Sequence, residues 1–446
     1  MSRHVVIVGA GPAGLAAASA ALRAGAEVTL IDAADQAGGQ YHRMPPDTYR
    51  PFRVLDRCDW WPESSVWSLE RHDERRPPRV HVLTGPADGD GRRRRFLDPD
   101  ALVLAPGAHD RTLPFPGWDL PGVFTAGAAQ ALVKGERVVV GDQVLVAGSG
   151  PFLLPVAASL LEAGTRVREV LEANPPRTVL RGWGRRPWEL AAQPDKAAEL
   201  AAYAARLARH RVPYRTGRAV IEARGDGRVE EAVTARLRAD WSVVPGTERT
   251  LSVDAVSVTH GFTPQLELPV AAGCVLRDGF VLVDGDQATS SPGVYAAGEV
   301  TGIAGAPAAR AEGLVAGWTA AGGPPSELRL TRRRRDRARA FGLRLAAAHP
   351  IGQGWPGWLR PDTVVCRCEE TSYESLCRAA SENPAARAVR LASRAGLGPC
   401  QARICGPTVA ELSPESPDPH HRPIAQPIRL GELAARSEAA EKESTP

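Results

Sequence analysis

The sequence predicts an α/β chain with two similar strand, turn, helix, strand units on parallel sheets, followed by a small, mostly helical domain. Three observations carry this. Residues 4–32 run from an apolar pentapeptide (His4 to Val8) through GxGxxG and a helix-forming stretch into a second apolar run ending in an acid, and residues 143–173 repeat that order. The third is that four of the seven cysteines stand in two tight pairs, Cys366 with Cys368 and Cys400 with Cys405. At 446 residues the chain can build two or three domains, each with its own core.

Composition narrows the function classes. With 43% hydrophobic and 24% charged residues the chain is globular, and a net charge of +4 over this length implies no nucleic-acid partner. Lysine is almost absent (Lys134, Lys196, Lys442), so the runs Arg92 to Arg95 and Arg332 to Arg335 read as solvated turn or helix faces rather than phosphate patches. No apolar stretch reaches the roughly 18 residues of a transmembrane segment, and a glycine fingerprint interrupts the apolar start where a signal peptide needs an unbroken core. A cytoplasmic location is expected. Thiols stay reduced there, so clustered cysteines point to metal or redox work.

In the first unit Gly9, Gly11 and Gly14, with Pro12 and Ala13 among them, let the backbone turn and approach a pyrophosphate seated on the helix N-terminus. Gly25 stops the helix, and Asp32, 23 residues after Gly9, is placed to accept hydrogen bonds from a ribose diol. Three later stretches resemble parts of the two-dinucleotide-binding flavoproteins and together imply FAD. They are "AGGQYHR" (Ala37 to Arg43, with Gly39, Gln40 and Arg43), "ALVLAPGAHDR" (Ala101 to Arg111, with Ala105 and Gly107) and "GVYAAGEV" (Gly293 to Val300, with Gly298 and Glu299). Pro106 and Glu299 depart from the usual Thr and Asp. A helix from Gly305, with Ala306 in its first turn, is expected to aim its positive end at the flavin pyrimidine.

The second unit keeps Gly148, Gly150 and Pro151, but Leu153 replaces the third glycine, and Glu172 follows Gly148 by 24 residues. Losing that glycine loosens the helix packing, while Glu172 favours an unphosphorylated ribose. NAD(H), a structural adenine nucleotide such as ATP, and an empty site remain open. Arg181, Arg185 and Arg186 read as exposed loop residues rather than phosphate partners. Two such units, the second inserted before the late flavin strand, resemble the glutathione-reductase-like flavoproteins. The disulfide reductases of that class need a CxxC or similar pair beside the flavin, and none stands here. Cys58 and Cys274 read as buried small apolar residues, so thiol–disulfide chemistry is not expected.

Cys366 and Cys368 form CxC, Cys400 and Cys405 form CxxxxC, and a polar, mostly helical segment of 31 residues separates them. Four thiolates hold one [2Fe-2S] cluster, two per iron; a tetrahedral zinc takes the same ligands. CxC followed by a distant pair resembles the bacterioferritin-associated-ferredoxin-like domain, which favours the cluster. Arg367, Arg394 and Arg403 lie near enough in sequence to offset its charge, and Cys377 has no ligand role.

The combination resembles the alpha subunits shared by opine oxidases, D-hydroxyproline dehydrogenase and hydrogen cyanide synthase. The resemblance covers nearly the whole chain and is most specific at "LPFPGWDLPGVFTAGAAQALVKG" (Leu113 to Gly135), "GGQYHR", "GSGPFLLPVA" and "GPCQARICGP", where Ala402 stands for the usual Gly. It implies a heteromeric dehydrogenase of amines or amino-acid derivatives, of opine, hydroxyproline, proline or glycine type. A D-amino-acid-oxidase-like beta subunit would oxidise the C–N bond, this chain would pass electrons between FAD and cluster, and a small ferredoxin-like gamma subunit sometimes joins. Competing readings are a self-sufficient NAD(H)-dependent flavoprotein reductase and a non-enzymatic iron–sulfur module.

Expected domains are a first FAD part at 1–135, a second nucleotide domain at 136–275, a last FAD part at 276–330, the cluster domain at 331–412 and a Pro-rich tail at 413–446. Within the tail "RPIAQPIRLGEL" (Arg422 to Leu433) resembles the family's own, and residues 434–446 read as disordered. His109 and His260 read as hydrogen-bonded turn histidines rather than proton-transfer groups. Trp60, Trp61, Trp183 and Trp188 read as packing or subunit-contact anchors.

Overall fold

Val5, Val6 and Ile7 are fully buried, as a strand covered on both faces must be, and they form the centre of a five-stranded parallel sheet. Its order is Val294–Ala296, Ala101–Leu104, His4–Val8, Glu27–Ile31, Asp59–Trp61. The computed structural model describes residues 2–185, 194–383, 385–413 and 424–434. One face of this sheet packs on helices Pro12–Arg23 and Gly305–Ala320. Glycines set their spacing: a Cβ on Gly313 would lie 2.0 Å from the Ala13 carbonyl, and one on Gly317 2.0 Å from that of Ala17. The other face packs on an antiparallel sheet of Ser64–Glu70, Arg79–Thr84 and Arg93–Leu97.

A second five-stranded parallel sheet has the order Tyr214–Thr216, Arg166–Glu172, Gln143–Gly148, Ala255–Thr259, Val123–Thr125. Helix Leu153–Glu162 covers one face, and the antiparallel sheet Arg218–Arg224, Glu231–Arg236, Arg249–Ser252 contributes to the core on the other. The C-terminal part packs on this second unit. The indole N–H of Trp118 donates to the Val364 carbonyl, Arg360 grips Glu222 with both guanidinium nitrogens at 2.9 Å, and Trp241 stacks on Trp358 at 6.0 Å. The hairpin of Val364–Cys366 and Thr371–Ser372 leads into helices Tyr373–Glu382 and Ala386–Ser393, and Gly406–Leu412 follows the second cysteine pair. Cys377 lies on the first of these helices.

The chain thus forms two compact units: it crosses between them after Ala108, Thr263 and Gly342, and the described tail residues 424–434 belong to the first unit again. These crossings differ from the boundaries expected at 135, 275 and 330. Val123–Thr125 joins the second sheet, and residues 343–413 group with it instead of forming a unit of their own.

Arg93, Arg333 and Arg334 are exposed as expected, whereas other members of the two arginine runs depart from expectation. Arg335 is 6% exposed and donates to the Gly285 carbonyl at 2.6 Å, and Arg332 pairs with Asp286. Arg92 pairs with Glu432 at 2.7 Å, and Arg95 lies 3.7 Å over the Trp61 ring. These guanidiniums meet an acid, a carbonyl or a ring with their heads. Glu432 belongs to the tail, whose Ala425 N–H donates to the Trp67 carbonyl at 2.7 Å before the helix Leu430–Ala434. The expectation of disorder falls, beyond Ala434, outside the described residues, as do Arg186 and Trp188. Cys274 is buried and Cys58 half-buried, its thiol pushed up to about 11 by burial.

Candidate functional site

Three sites follow from these units. In the first, Gly9 has φ +101°, and a Cβ there would lie 2.2 Å from the Ala105 carbonyl; a Cβ on Gly14 would lie 1.7 Å from that of Gly9. Gly11 and Gly107 have open space where a Cβ would stand. Gly11 caps the helix that Pro12 begins, without a side-chain cap, so its first N–H groups face outward.

Asp32 closes this cradle. It accepts from the Ala10 N–H at 2.5 Å and the Ala34 N–H at 2.8 Å; burial raises its pKa against the pull of those two bonds and of Arg43. Ala13 and Ala105 are buried behind the turn, Gly39 has φ +58° beside Gly11, and Gln40 is exposed. Gly298, at φ +86°, would bring a Cβ to 3.0 Å from the Ala13 side chain, and Ala306 is buried in the first turn of the late helix. Open glycine faces, an oriented carboxylate and a nearby guanidinium fit a dinucleotide.

Sequence reasoning missed what holds the Gly298 turn. Glu312, 2% exposed, accepts from the Gly298 N–H at 2.8 Å, from Thr301 Oγ1 at 2.7 Å and from Arg339 Nε at 2.6 Å. The signal was there, since Glu312 is the one acid in the Ala- and Gly-rich helix Gly305–Ala320.

The second site repeats the first with changes. A Cβ on Gly148 would lie 1.6 Å from the Thr259 carbonyl, and Gly150 has open space at φ +100°. Helix Leu153–Glu162 begins two residues later than its counterpart, which makes room for Leu153 where Gly14 touches its own turn. Pro151 lies in the intervening turn, and Arg181 and Arg185 are exposed. The Glu172 carboxylate is fully buried among polar partners described below.

The third site gathers the four cysteines. A cavity of about 210 Å³ is bounded by Cys366, Cys368, Cys400 and Cys405 together with Trp118, Arg367 and Ile404. The thiols stand as two hydrogen-bonded pairs, Cys366 with Cys405 and Cys368 with Cys400. Among the described residues no three or more His, Cys, Asp or Glu converge on a point where one ion would sit. Cys366 accepts from the Cys405 thiol and from backbone N–H groups, Gly396 at 3.5 Å among them, which holds its pKa down at about 5. Cys405 is pushed up by donating to that sulfur and by burial.

The loop geometry serves this arrangement. Gly396 has φ +82°, and Gln401 and Ala402 have φ +53° and +65°, left-handed backbone that favours glycine and that Ala402 adopts under strain. Arg367 lies 4.1 Å over the Trp118 ring, Arg403 donates to the Cys400 carbonyl at 3.3 Å, and Arg394 is paired with Glu369. His109 Nε2 donates to the Arg403 carbonyl at 2.7 Å. His260 is buried against Trp241 and Trp358.

The family model described as pyridine nucleotide-disulphide oxidoreductase matches residues 3–313. The chain is 32% identical to an opine oxidase subunit from Rhizobium meliloti, over 96% of this chain and 87% of that protein. It is 30% identical to hydrogen cyanide synthase subunit HcnB of Pseudomonas protegens, over 91% and 90%. Among solved structures, L-proline dehydrogenase from P. horikoshii superposes with TM-score 0.66 over 98% of this chain and 80% of that one, at 19% identity, which is a likeness of fold.

Proposed function

Because the chain belongs to the pyridine nucleotide-disulphide oxidoreductase family and is an FAD-dependent oxidoreductase, we propose that it is the electron-transferring subunit of a heteromeric dehydrogenase or oxidase. The substrate would be the C–N bond of an amino acid or derivative of opine, hydroxyproline, proline or glycine type. Family membership supports binding of FAD and NAD(P), and the two relatives named above are a subunit of opine oxidase and a subunit of hydrogen cyanide synthase. The partners this reading asks for are a small ferredoxin-like gamma subunit, and a beta subunit resembling D-amino-acid oxidase.

The observation that carries the proposal is the pairing of the four thiols around one apolar cavity. A [2Fe-2S] cluster takes two thiolates on each iron, and Cys366 with Cys405 and Cys368 with Cys400 offer that division. Bound FAD supplies two-electron chemistry and a cluster supplies a one-electron station. The chain's own residues do the rest. Gly9, Gly11, Gly14, Asp32 and Arg43 bind and orient the dinucleotide, with Gly39, Gln40, Ala105, Gly107, Gly298, Glu299 and Ala306 around it. Trp118 and Ile404 line the cavity beside the thiols, with Cys366 and Cys405 buried and Cys368 exposed, and the Gly396 N–H stabilises the Cys366 sulfur as thiolate.

The test is flavin, iron and zinc analysis with a visible spectrum of the anaerobically purified chain. Two irons and one FAD per chain are expected, with iron lost and FAD kept in Cys366→Ser. FAD with zinc and no iron would overturn the cluster. Rapid bleaching of FAD by NADH in the isolated chain would favour the self-sufficient reductase.

A further inference from the structure

The two acids of the two glycine turns can be compared atom by atom. Each accepts a backbone N–H from its glycine turn and another from two residues on: Ala10 and Ala34 for Asp32, Gly150 (2.8 Å) and Asn174 (2.9 Å) for Glu172. Beyond these, Glu172 has two side-chain donors. Asn174 Nδ2 lies 3.0 Å from Oε1, and His349 Nδ1 lies 3.0 Å from Oε2. Asp32 is partly open, whereas Glu172 is 0% exposed.

The imidazole is itself held in place. The Trp183 indole N–H donates to His349 Nε2 at 3.2 Å, and an indole nitrogen can only donate, so the ring carries its proton on Nδ1 and gives it to Glu172. Ser149 Oγ donates to the His349 carbonyl at 3.3 Å, and a Cβ on Gly182 would lie 2.2 Å from Ala348 Cα, which shows how closely this segment is seated. A ribose diol binds such an acid by donating its hydroxyls to the carboxylate. Here a side chain of the same chain already donates in that place. As they stand, these residues do not fit a bound nucleotide.

We propose that His349 is a built-in competitor for the second nucleotide site: its imidazole holds the carboxylate that would recognise the ribose of an adenosine nucleotide, so the nucleotide binds only as His349 leaves. Displacement releases the contacts to Trp183 and Ser149 and loosens the segment that runs on to Trp355–Trp358 and Cys366. Nucleotide occupancy and seating of the C-terminal segment are therefore linked, each weakening the other by the same factor. The inference concerns the second site alone and does not depend on the cluster or on partner subunits.

The experiment titrates NADH, and separately ATP, into the full FAD-loaded chain by calorimetry, comparing wild type with His349→Ala. The variant is expected to bind at least one of them tenfold or more tightly than wild type. Its melting temperature should fall without nucleotide, because Glu172 loses a donor while buried, and recover when nucleotide is saturating. A merely structural histidine would lower the melting temperature with no gain in affinity, and equal or weaker binding by the folded variant overturns the proposal. So does the absence of saturable binding in both proteins. Should His349→Ala fail to fold, Trp183→Phe frees the imidazole by removing its donor; a smaller gain in affinity is expected, and no gain overturns the proposal. Iron and flavin contents are read on the same samples, so failure here is distinguishable from failure of the electron-transfer reading.

Discussion

His260 gives the molecule a pH dependence whose size can be worked from its surroundings. The ring is 6% exposed, Nδ1 accepts from the Leu113 N–H at 3.3 Å, and the rings of Trp241 and Trp358 stand 5.9 and 6.5 Å away. Burial first, and the charge of Arg111 second, lower its pKa from 6.5 to about 3. The folded pKa is below the unfolded one, so the unfolded chain binds the extra proton between these values. The stability from neutral His260 is complete above pH 6.5, falls as pH drops below it, and is gone near pH 3. At about 1.4 kcal/mol per pH unit, going from pH 7.5 to 5 removes about 2 kcal/mol. The assay is urea unfolding at both pH values, followed by the tryptophan fluorescence to which Trp241 and Trp358 contribute, for wild type and His260→Asn. Asparagine can still accept from Leu113 but cannot ionise, and its packing defect is present at both pH values and cancels. Wild type should lose about 2 kcal/mol more than the variant. The same loss in both proteins, or a greater one in the variant, would refute the reasoning.

Two substitutions probe the first site. Gly11 has φ −73° and nothing within 4 Å of where a methyl would be added, so Gly11→Ala should change the stability of the flavin-free chain by less than about 1 kcal/mol. The methyl would stand in the cofactor's space, so FAD content after purification should fall sharply; a variant with full flavin would remove Gly11 from the cradle. Arg339→Ala leaves the Glu312 carboxylate buried without its ion partner and should cost about 3 kcal/mol in denaturant unfolding. Arg339→Lys should recover only part of this, because Arg339 also donates to Gln287 Oε1 at 2.9 Å; a loss below about 1 kcal/mol for the alanine variant would show that the Gly298 turn stands without the pair.

Much of the site was legible because its parts are neighbours in the chain. A strand, a tight turn and a helix lie within 30 residues, so the glycines and the acid in "HVVIVGAGPAGL" through Asp32 prescribe their own juxtaposition, and the second copy does so again as far as Glu172. The CxC and CxxxxC spacings likewise belong to a hairpin and a loop of local origin. Other features leave no such trace. The pairing of Cys366 with Cys405 and of Cys368 with Cys400 depends on how two helices fold the intervening chain back, and the buried Arg335 meets the carbonyl of Gly285, 50 residues away in the chain. The meeting of His349 with Glu172 spans 177 residues and has no periodicity, motif or charge pattern behind it. Short-range geometry follows from backbone stereochemistry, which residue order specifies directly. Which distant side chain fills a buried polar position is decided by the packing of completed sheets and helices, and only the tertiary structure contains that.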